Sequence, residues 1–526
     1  MIKLITQSVV ELFLKIFTFL SARRVDKIRH KPISYALDLS TLDPAIKKLL
    51  DEHPEQSGFY LLENNIDAFT ARRNLINQAQ HTLDLQYYSF LGDTSGKLIA
   101  NALIQAASRG VRVRVLLDDI DTLGVDEAIS ILNAHPSIEI RIFNPFYFRG
   151  LLRYLEFFVD SSRVGRRMHN KVMIADNALA IVGGRNISDV YFTADPDLLF
   201  LDVDLLTLGD IVRSISVSFD EYWNSRWSVP VAVLYARPKR RYALNKIKKV
   251  LKKYQDEIKQ VDYYIQIAED SELAKNISLP KLPFIWSKVQ LFYDGPEKID
   301  PDENEEKREN ANQIKNILHD VFSLAKKELS IVTPYFVPGL EGVKWFKYLI
   351  SQGIKVNVFT NSLAATDVTA VHAGYAAYRH ALLEAGVNLF ELKATAYVKY
   401  RKRFKILRPG SRTSLHAKTV IIDRSKVFMG SPNLDPRSHD LNTEIGLFID
   451  NKELSGQLLN LFSDISSGQN SYRLMLESNK QSNKSKIIWQ SEEEGELKQY
   501  TSEPEVSMLR KLKAYIFALL PIEHLL

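Results

Sequence analysis

The feature of the sequence that most constrains its fold is a polar pattern that occurs twice with the same internal spacing. A His-x-Lys triplet is followed after four residues by Asp and, six residues later, by a Gly-led tetrapeptide ending in Asn. The copies comprise His169-Asn170-Lys171, Asp176 and Gly183-Gly184-Arg185-Asn186, then His416-Ala417-Lys418, Asp423 and Gly430-Ser431-Pro432-Asn433. One His-x-Lys carries little information, but two matched copies 247 residues apart indicate a duplicated structural unit.

Apolar segments that precede the pattern repeat at nearly the same offset. Leu83–Phe90 and Leu329–Phe336 are typical of buried strands. Each precedes a predicted helix and then a strand that begins at Gly110 or Gly353. Because strands that alternate with helices form βαβ units, we expect an α/β fold in which helices cover the sheets of two tandem halves.

The two expected halves span residues 58–230 and 285–465. Three further segments are expected: a lead-in over 1–57 that starts with an amphipathic helix over 1–24, a connector over 231–284 with the basic stretch Arg237–Lys253, and a tail over 466–526 with a polar tether at Glu477–Glu505 and an amphipathic helix at Met508–Leu520. Each terminal helix is compatible with docking on the protein body or with lying in the plane of a membrane surface.

Composition excludes several classes of protein. The chain of 526 residues is 45% apolar, which excludes wholesale disorder, and its net charge of +6 is only mildly basic. It contains no cysteine, which excludes disulfides, thiolate nucleophiles and zinc–thiolate sites. Since no charge-free apolar run reaches about 18 residues, a classical transmembrane span is not expected.

The duplicated residues suit chemistry at a negatively charged phosphodiester. One neutral imidazole can attack phosphorus and form a covalent phosphohistidine, while the other protonates the leaving alkoxide and then deprotonates the acceptor. The residues expected to bind the non-bridging oxygens are Lys171, Lys418, Asn186 and Asn433. No metal or other cofactor is expected, and the residues alone do not decide which of His169 and His416 is the nucleophile.

A nucleophilic imidazole needs a carboxylate to hold its second nitrogen. Acidic residues begin one strand in each half, and alignment of those strands matches Glu444 with Asp204. We therefore assign these two as the orienting carboxylates, with Asp202 as the fallback in the first half. Asp176 and Asp423 fall at predicted turns, where structural hydrogen bonds are the expected role.

These patterns resemble the phospholipase D superfamily, whose hallmark is a duplicated HxKxxxxD with a trailing Gly-Gly/Ser-x-Asn. Within it, the chain resembles the bacterial cardiolipin synthases that lack transmembrane spans, through Phe219–Ser225, Thr333–Gly339, Val371–Tyr375 and Leu519–Glu523. The resemblance implies two tandem phospholipase D-like α/β/α sandwich halves with a shared active site at their interface. It also implies that His169 is the nucleophile and His416 the general acid. A phosphate-binding role for the motif serine falls to Ser431 alone, because the first half has Gly184 there.

The implied function is a phosphatidyltransferase of cardiolipin synthase type that passes a phosphatidyl-histidine to an alcohol. Phosphatidylglycerol is the expected acceptor substrate and phosphatidylethanolamine a second candidate lipid. Hydrolysis to phosphatidic acid is the alternative, and a nuclease and a non-catalytic lipid-binding scaffold are two others. The expected location is peripheral or monotopic at a bacterial inner membrane, with no nucleic-acid partner and no protein partner assigned.

Two loops rich in aromatic and basic residues lead into the two copies of the pattern. They span Asn144–Arg167 and Glu391–Thr413. Because both precede a catalytic triplet, we expect both to rim the same entrance. Apolar rings and cations together suit a lipid interface, and they equally suit single-stranded nucleic acid.

Overall fold

The structure, a computed structural model, describes residues 44–150, 160–234, 281–396, 411–479 and 484–526, with residues 153, 155, 156, 266, 268–271 and 273 between them. The expected N-terminal helix over 1–24 and the basic stretch Arg237–Lys253 lie outside the described residues.

The first half is built around a nine-stranded mixed sheet. The strands up to the start of the second half are β1 (Ser57–Leu62), β2 (Thr82–Tyr87), β3 (Arg112–Asp118), β4 (Ile138–Phe143), β5 (Val172–Ala175), β6 (Leu179–Gly183), β7 (Leu198–Leu201), β8 (Asp204–Gly209), β9 (Ser228–Pro230) and β10 (Ile285–Ser287). All except β7 join this sheet, in the order β10-β1-β8-β6-β5-β2-β3-β4-β9, with β2, β3 and β4 parallel.

The second half contains a ten-stranded sheet. Its region supplies β11 (Val289–Tyr293), β12 (Glu328–Val332), β13 (Lys355–Asn361), β14 (Asn388–Leu392), β15 (Arg412–Leu415), β16 (Thr419–Ile422), β17 (Lys426–Gly430), β18 (Ile445–Asp450), β19 (Ser471–Asn479), β20 (Lys484–Glu493) and β21 (Glu496–Tyr500). The order is β11-β18-β17-β16-β12-β13-β14-β19-β20-β21, with β12, β13 and β14 parallel. The first seven strands in this order, β11-β18-β17-β16-β12-β13-β14, are arranged in the same way as β1-β8-β6-β5-β2-β3-β4 of the first sheet. The duplication inferred from the sequence is therefore a duplication of the fold.

Helices connect and cover these strands. In the first half they are α1 (Pro44–Glu52), α2 (Asn65–Gln78), α3 (Thr94–Ser108), α4 (Asp126–Leu132), α5 (Ser161–Val164), α6 (Ile211–Asn224) and α7 (Val231–Leu234). In the second they are α8 (Glu305–Ala311), α9 (Gln313–Ser323), α10 (Gly339–Ser351), α11 (Thr369–Ala376), α12 (Arg379–Ala385), α13 (Pro436–Asp440), α14 (Lys452–Ser466) and α15 (Met508–Ala518). Short 3₁₀ turns occupy Asp189–Tyr191, Pro296–Ile299 and Glu523–Leu525.

Alternating side chains of the sheets pack into different apolar cores. In β5, Val172 and Ile174 face a central core, while Met173 and Ala175 face the outer core under α2 and α3. The central core joins the inner faces of both sheets with α6 and α14, and a third core lies under α9 to α12. A strand alternates its side chains between its two faces, so apolar residues at every position give a sheet buried on both sides.

Two expected boundaries differ in the structure. Strand β10 pairs with β1, so the second half begins at β11 and not at residue 285. The expected tether at Glu477–Glu505 is wrong, because this stretch contributes to the edge of the second sheet as β19, β20 and β21. Most of its charged side chains are exposed, while Trp489 lies opposite Leu474 of the preceding strand and is buried with it in the core under α9 to α12. Averaged composition conceals single buried positions within a polar stretch.

Two short backbone pairings between the halves position the site. Strand β7 of the first half pairs in parallel with β15 of the second, in register from Leu198–Arg412 to Leu201–Leu415. Met168 likewise forms a parallel bridge with Thr443. Each pairing therefore ends beside a histidine of one half and an acidic residue of the other.

No helix of the described segments is both long and apolar enough to cross a membrane.

Candidate active site

The two motif histidines lie in one buried region, and each is held by a carboxylate of the opposite half. The backbone N–H of His169 donates to the carbonyl of Thr443, which directly precedes Glu444. The N–H of His416 donates to the carbonyl of Leu201, which precedes Asp202. The shared pocket expected from the sequence is thus produced by crossed pairing at the interface.

The first pair is His169 with Glu444. Nδ1 of His169 lies 3.0 and 2.9 Å from the two carboxylate oxygens. The hydroxyls of Ser431 and Ser438 also donate to this carboxylate. Burial, reinforced by the charges of Lys171 and Lys418, holds the pKa of His169 well below its usual value, and burial raises the pKa of Glu444 to about 7. His169 is therefore neutral at pH 7, with Nδ1 engaged and the lone pair of Nε2 available for attack.

The second pair is His416 with Asp202. Nδ1 of His416 lies 2.6 Å from Oδ2 of Asp202, and the ring stacks on Phe200 with centroids 5.1 Å apart. Burial would raise the pKa of Asp202, but the contact with His416 and the charge of Lys418 hold it below its usual value. Asp202 is therefore an ionised acceptor for the Nδ1 proton. Nε2 of His416 lies 3.3 Å from the hydroxyl of Tyr191.

The expectation that Asp204 orients a histidine is wrong, and strand register gives the reason. Gly183 pairs with Asp204 in the first sheet, whereas Gly430 pairs with Gly446 in the second. Asp204 therefore corresponds to Gly446, and Glu444 corresponds to Asp202, two residues earlier. A shift of two residues preserves the face of the strand, so the sequence pattern could not exclude it.

Asp204 instead belongs to a buried ion pair inside the first half. Its Oδ2 lies 3.0 Å from Arg72 and 3.1 Å from Arg185, and all three side chains are fully buried. Arg185 also donates to the carbonyl of Leu62 at 2.8 Å. This network ties α2 to the strands behind the site, which is a structural role.

At the second position of the Gly-led tetrapeptide, the first copy has Gly184 where the second has Ser431, and this difference has a steric cause. A Cβ at Gly184 would lie 2.2 Å from Oδ1 of Asp202. In the second half, Ser431 fits and its hydroxyl donates to Glu444. The sequence predicted a phosphate-binding role for Ser431, but the structure places its hydroxyl on the carboxylate that holds His169.

The two motif lysines are buried beside the histidines. Nζ of Lys171 donates to the carbonyl of His169, and Nζ of Lys418 donates to the carbonyl of His416, both at 2.6 Å. Burial lowers the pKa of Lys171 to about 7 and lowers that of Lys418. An ammonium carries three donors, so each lysine can bind a phosphate oxygen while keeping this anchor. A bound anion would restore the charge that burial disfavours.

The two motif asparagines differ in what they bind. Asn186 accepts from the N–H of Ser89 at 3.2 Å and donates to the hydroxyl of Tyr191 at 3.0 Å. The side-chain oxygen of Asn433 is buried and meets no hydrogen-bonding partner within the described residues. Of the two asparagines, Asn433 is thus the better placed to accept a hydrogen bond from a substrate.

Asp176 and Asp423 have the structural role expected of turn residues. Asp176 accepts from the backbone N–H groups of Gln80, His81 and Thr82 at 2.7–2.9 Å. Asp423 accepts from Lys326, Lys327 and Glu328 at 2.8–3.2 Å. Both adopt positive φ, 52° and 49°, in the turn after the catalytic strand. Each one fixes that turn to the start of the neighbouring strand, β2 or β12, which runs antiparallel to the strand before the turn.

The described residues of the loop Asn144–Arg167 contribute less to an entrance than expected, and residues 151, 152, 154 and 157–159 of this loop lie outside the part of the chain that the structure describes. Arg163 pairs with Glu156 at 2.9 Å, and the fully buried Arg167 pairs with Asp118 at 3.3 Å. Phe146 is buried beneath the Arg167 guanidinium. These residues stabilise the first half and do not face a lipid. In the second loop, residues 397–410 lie outside the described residues.

Tyr191 and Ser438 are site residues that the sequence analysis missed. Tyr191 follows Asn186 by five residues, and Ser438 follows Asn433 by five. Burial raises the pKa of Tyr191 well above its usual value, so its hydroxyl stays protonated and can donate to Nε2 of His416. The common offset was a usable signal, but Tyr and Ser do not look equivalent until both hydroxyls are seen beside the catalytic pairs.

The site therefore holds a neutral imidazole with an available Nε2, a second imidazole paired with an ionised carboxylate, and two buried lysines. Within the described segments, no group of three or more His, Asp or Glu side chains is arranged to hold a metal ion. The arrangement can bind a phosphate, attack it with one ring nitrogen and exchange a proton through the other.

The chain is similar to known proteins over most of its length. The family model described as "Cardiolipin synthase, PLD-like domain" matches residues 73–223 and 318–466. Cardiolipin synthase C of Escherichia coli (strain K12) is 38% identical over 485 residues, 92% of this chain and 99% of that protein. An uncharacterised protein of Helicobacter pylori (strain J99) is 34% identical over 487 residues, 92% of this chain and 93% of the relative.

Among solved structures, the phosphatidylserine synthase of Haemophilus influenzae Rd KW20 aligns with a TM-score of 0.55. The alignment covers 91% of this chain and 100% of that chain, at 14% sequence identity. At that identity the likeness concerns the fold alone. It supports the description of two tandem α/β halves.

Proposed function

The chain belongs to the cardiolipin synthase family of phospholipase D-like proteins, and we propose that it is a phosphatidyltransferase of cardiolipin synthase type. The observation that carries the proposal is the crossed pair of histidines, each held through Nδ1 by a carboxylate of the other half. Such a site needs both halves, and it presents one nucleophilic and one proton-transferring nitrogen to the same phosphodiester.

The first half-reaction forms a covalent intermediate. Nε2 of His169 attacks phosphorus of the donor phospholipid, so an N–P bond forms and the P–O bond to the leaving alcohol breaks. His416, protonated on Nε2 at this stage, gives that proton to the leaving oxygen. The bound phosphodiester favours the imidazolium, since its negative charge opposes the burial that otherwise lowers the pKa of His416.

The second half-reaction returns the enzyme to its starting state. Nε2 of His416 removes the proton of an acceptor hydroxyl, whose oxygen attacks phosphorus while the N–P bond to His169 breaks. Lys171 and Lys418 hold the non-bridging oxygens in both steps, and the side-chain oxygen of Asn433 can accept a hydrogen bond from a substrate hydroxyl. No net proton is gained or lost over the cycle.

Phosphatidylglycerol is the proposed acceptor, which makes cardiolipin the product. Phosphatidylethanolamine, the second candidate lipid, is a candidate donor. We place the enzyme peripherally at a bacterial membrane, where both lipids are within reach of one buried pocket. If water enters the pocket in place of the alcohol, the same residues release phosphatidic acid. The transferase and hydrolase alternatives therefore differ only in the acceptor.

The test is mass spectrometry of lipids after incubation of purified protein with phosphatidylglycerol, alone and mixed with phosphatidylethanolamine. We expect cardiolipin with the intact protein and none with His169→Ala or His416→Ala, each still folded by circular dichroism. Phosphatidic acid without cardiolipin would identify a phospholipase D instead. Formation of neither lipid would contradict the proposal and give priority to a nuclease.

A further inference from the structure

The C-terminal helix α15 has its apolar side turned away from the protein. None of its residues is buried, and Met508, Leu509, Leu512, Tyr515 and Ile516 are 48–82% exposed. Leu519 and Leu520, directly after it, are 67% and 47% exposed. A helix that docks on a protein body buries its apolar stripe, so this orientation is the reverse of the usual one.

The exposed apolar residues form one continuous face. At about 100° per residue, the seven side chains from Met508 to Leu520 fall within an arc of roughly 140°. Arg510, Lys511, Ala514 and Phe517 are half-buried on the remaining surface. Lys511 and Lys513 border the apolar arc on its two sides, where long cationic side chains can reach from an apolar layer to charged headgroups.

The helix is fixed at both ends. Before it, Glu503 pairs with Arg379 and Glu505 accepts from the backbone N–H of Ala394 at 3.1 Å. After it, Glu523 accepts from the hydroxyl of Tyr378 at 2.6 Å. Its outward face is therefore a set feature of the folded second half.

The helix also lies next to the catalytic region. Arg510 donates to the carbonyl of Thr366, and Tyr335 donates to the neighbouring Asp367 at 2.7 Å. The negative charge of Asp367 is near enough to His416 and Lys418 to act on the pKa of each, favouring their protonated forms. The exposed apolar face is thus close to the side of the pocket that holds His416.

We propose that the face formed by residues 508–520 inserts into the headgroup and outer acyl layer of an anionic phospholipid bilayer and thereby places the catalytic entrance on its lipid substrates. This inference rests on the proposed phospholipid substrates. Charge complementarity favours lipid over a second copy of the chain. The helix sequence MLRKLKAYIFA contains three basic and no acidic residues, so two copies packed face to face would bring like charges together.

The absence of cysteine allows a test at single positions of the full chain. Leu512→Cys is labelled with an environment-sensitive fluorophore, in the His169→Ala background so that the lipids are not turned over. The matched control is Leu497→Cys, which is 73% exposed on β21 between charged neighbours. The label on position 512 should shift to the blue on phosphatidylglycerol-containing phosphatidylcholine vesicles and be quenched by lipid-attached quenchers. The label on position 497 should do neither.

Two outcomes would overturn the proposal. One is a label at position 512 whose fluorescence neither shifts nor is quenched on vesicles that sediment with the protein. The other is a blue shift without lipid that grows with protein concentration, which would assign the face to a second copy. Because this readout needs no turnover, it separates the surface from the function. Cardiolipin formation with a silent label would reject only the surface, and a lipid-dependent label without cardiolipin would reject only the function.

A second variant checks the consequence for activity. Leu512→Glu/Ile516→Glu should lower turnover on vesicles by more than about tenfold, since two apolar side chains no longer enter lipid. Turnover of detergent-dispersed lipid should be unchanged, which also shows that the variant is folded. Equal activity of variant and parent on vesicles would contradict the proposal.

Discussion

Nδ1 of His416 lies 2.6 Å from Oδ2 of Asp202, a carboxylate that belongs to the other half of the chain. The reciprocal contact joins His169 to Glu444 at 2.9 Å. Duplication has therefore produced one site from two halves and not two separate sites. Each half supplies one imidazole and also the carboxylate that holds the imidazole of the other half.

Loss of the carboxylate beside His416 should lower turnover with little loss of stability. Asp202→Asn keeps the size of the side chain but removes the ionised acceptor that fixes the Nδ1 proton. We expect kcat to fall by about 10²- to 10⁴-fold, the range typical of general acid–base groups and their orienting carboxylates. Steady-state kinetics on dispersed lipid would measure this. Activity near the parent level would contradict the assignment of Asp202.

Asp204 should respond in the opposite way. Asp204→Asn leaves Arg72 and Arg185 buried without a full counter-charge, so we expect a loss of about 3–5 kcal/mol in the free energy of unfolding. Denaturant unfolding would measure it, with Asp202→Asn as the matched control. The fraction that remains folded should keep most of its kcat. A large kcat defect in a stable Asp204→Asn protein would restore Asp204 as a catalytic residue.

Lys171 should set an alkaline limb in the pH profile. Burial lowers its pKa to about 7 in the free enzyme, so its charge is present below that pH and is lost as pH rises through it. We expect kcat/KM to fall above about pH 7. Lys171→Arg keeps the charge at all these values, so its profile should lack this limb even if its rate is lower. A limb at the same pH in both proteins would assign it to another group.

Chelation should leave the reaction unchanged. In the proposed mechanism the lysines carry the charge on the phosphate, and imidazole is the nucleophile, so no step needs a bound cation. Turnover measured before and after dialysis against EDTA should agree within error. A loss that added divalent metal restores would require a different mechanism.

Much of the fold and part of the site could be predicted from the sequence. The paired His-x-Lys patterns identified both histidines, both lysines, the duplication and the role of Asp176 and Asp423, because spacing along a strand fixes which side chains share a face. Spacing does not fix the partner strand. Asp202 and Asp204 lie on the same face, and only the register of β6 and β8 separates them.

Other residues were missed because their signal depends on contacts distant in sequence. Ser438 and Tyr191 correspond by position yet differ in chemistry, and each is recognised only beside its catalytic pair. The polar stretch after Glu477 suggested a tether because average composition outweighed the buried positions of Ile488 and Trp489. The direction in which α15 faces also follows from its anchors, Glu503 and Glu523, and not from its own pattern.

The central claim, that both halves build one site around a nucleophilic His169, is tested most directly by locating the covalent intermediate. The enzyme is mixed with a phospholipid donor, quenched in alkaline denaturant that preserves an N–P bond, digested and analysed by mass spectrometry. We predict a phosphatidyl group on the peptide that contains His169, and none when Glu444 is replaced by Ala. A phosphatidyl group on His416, or equal labelling of both histidines, would contradict this account.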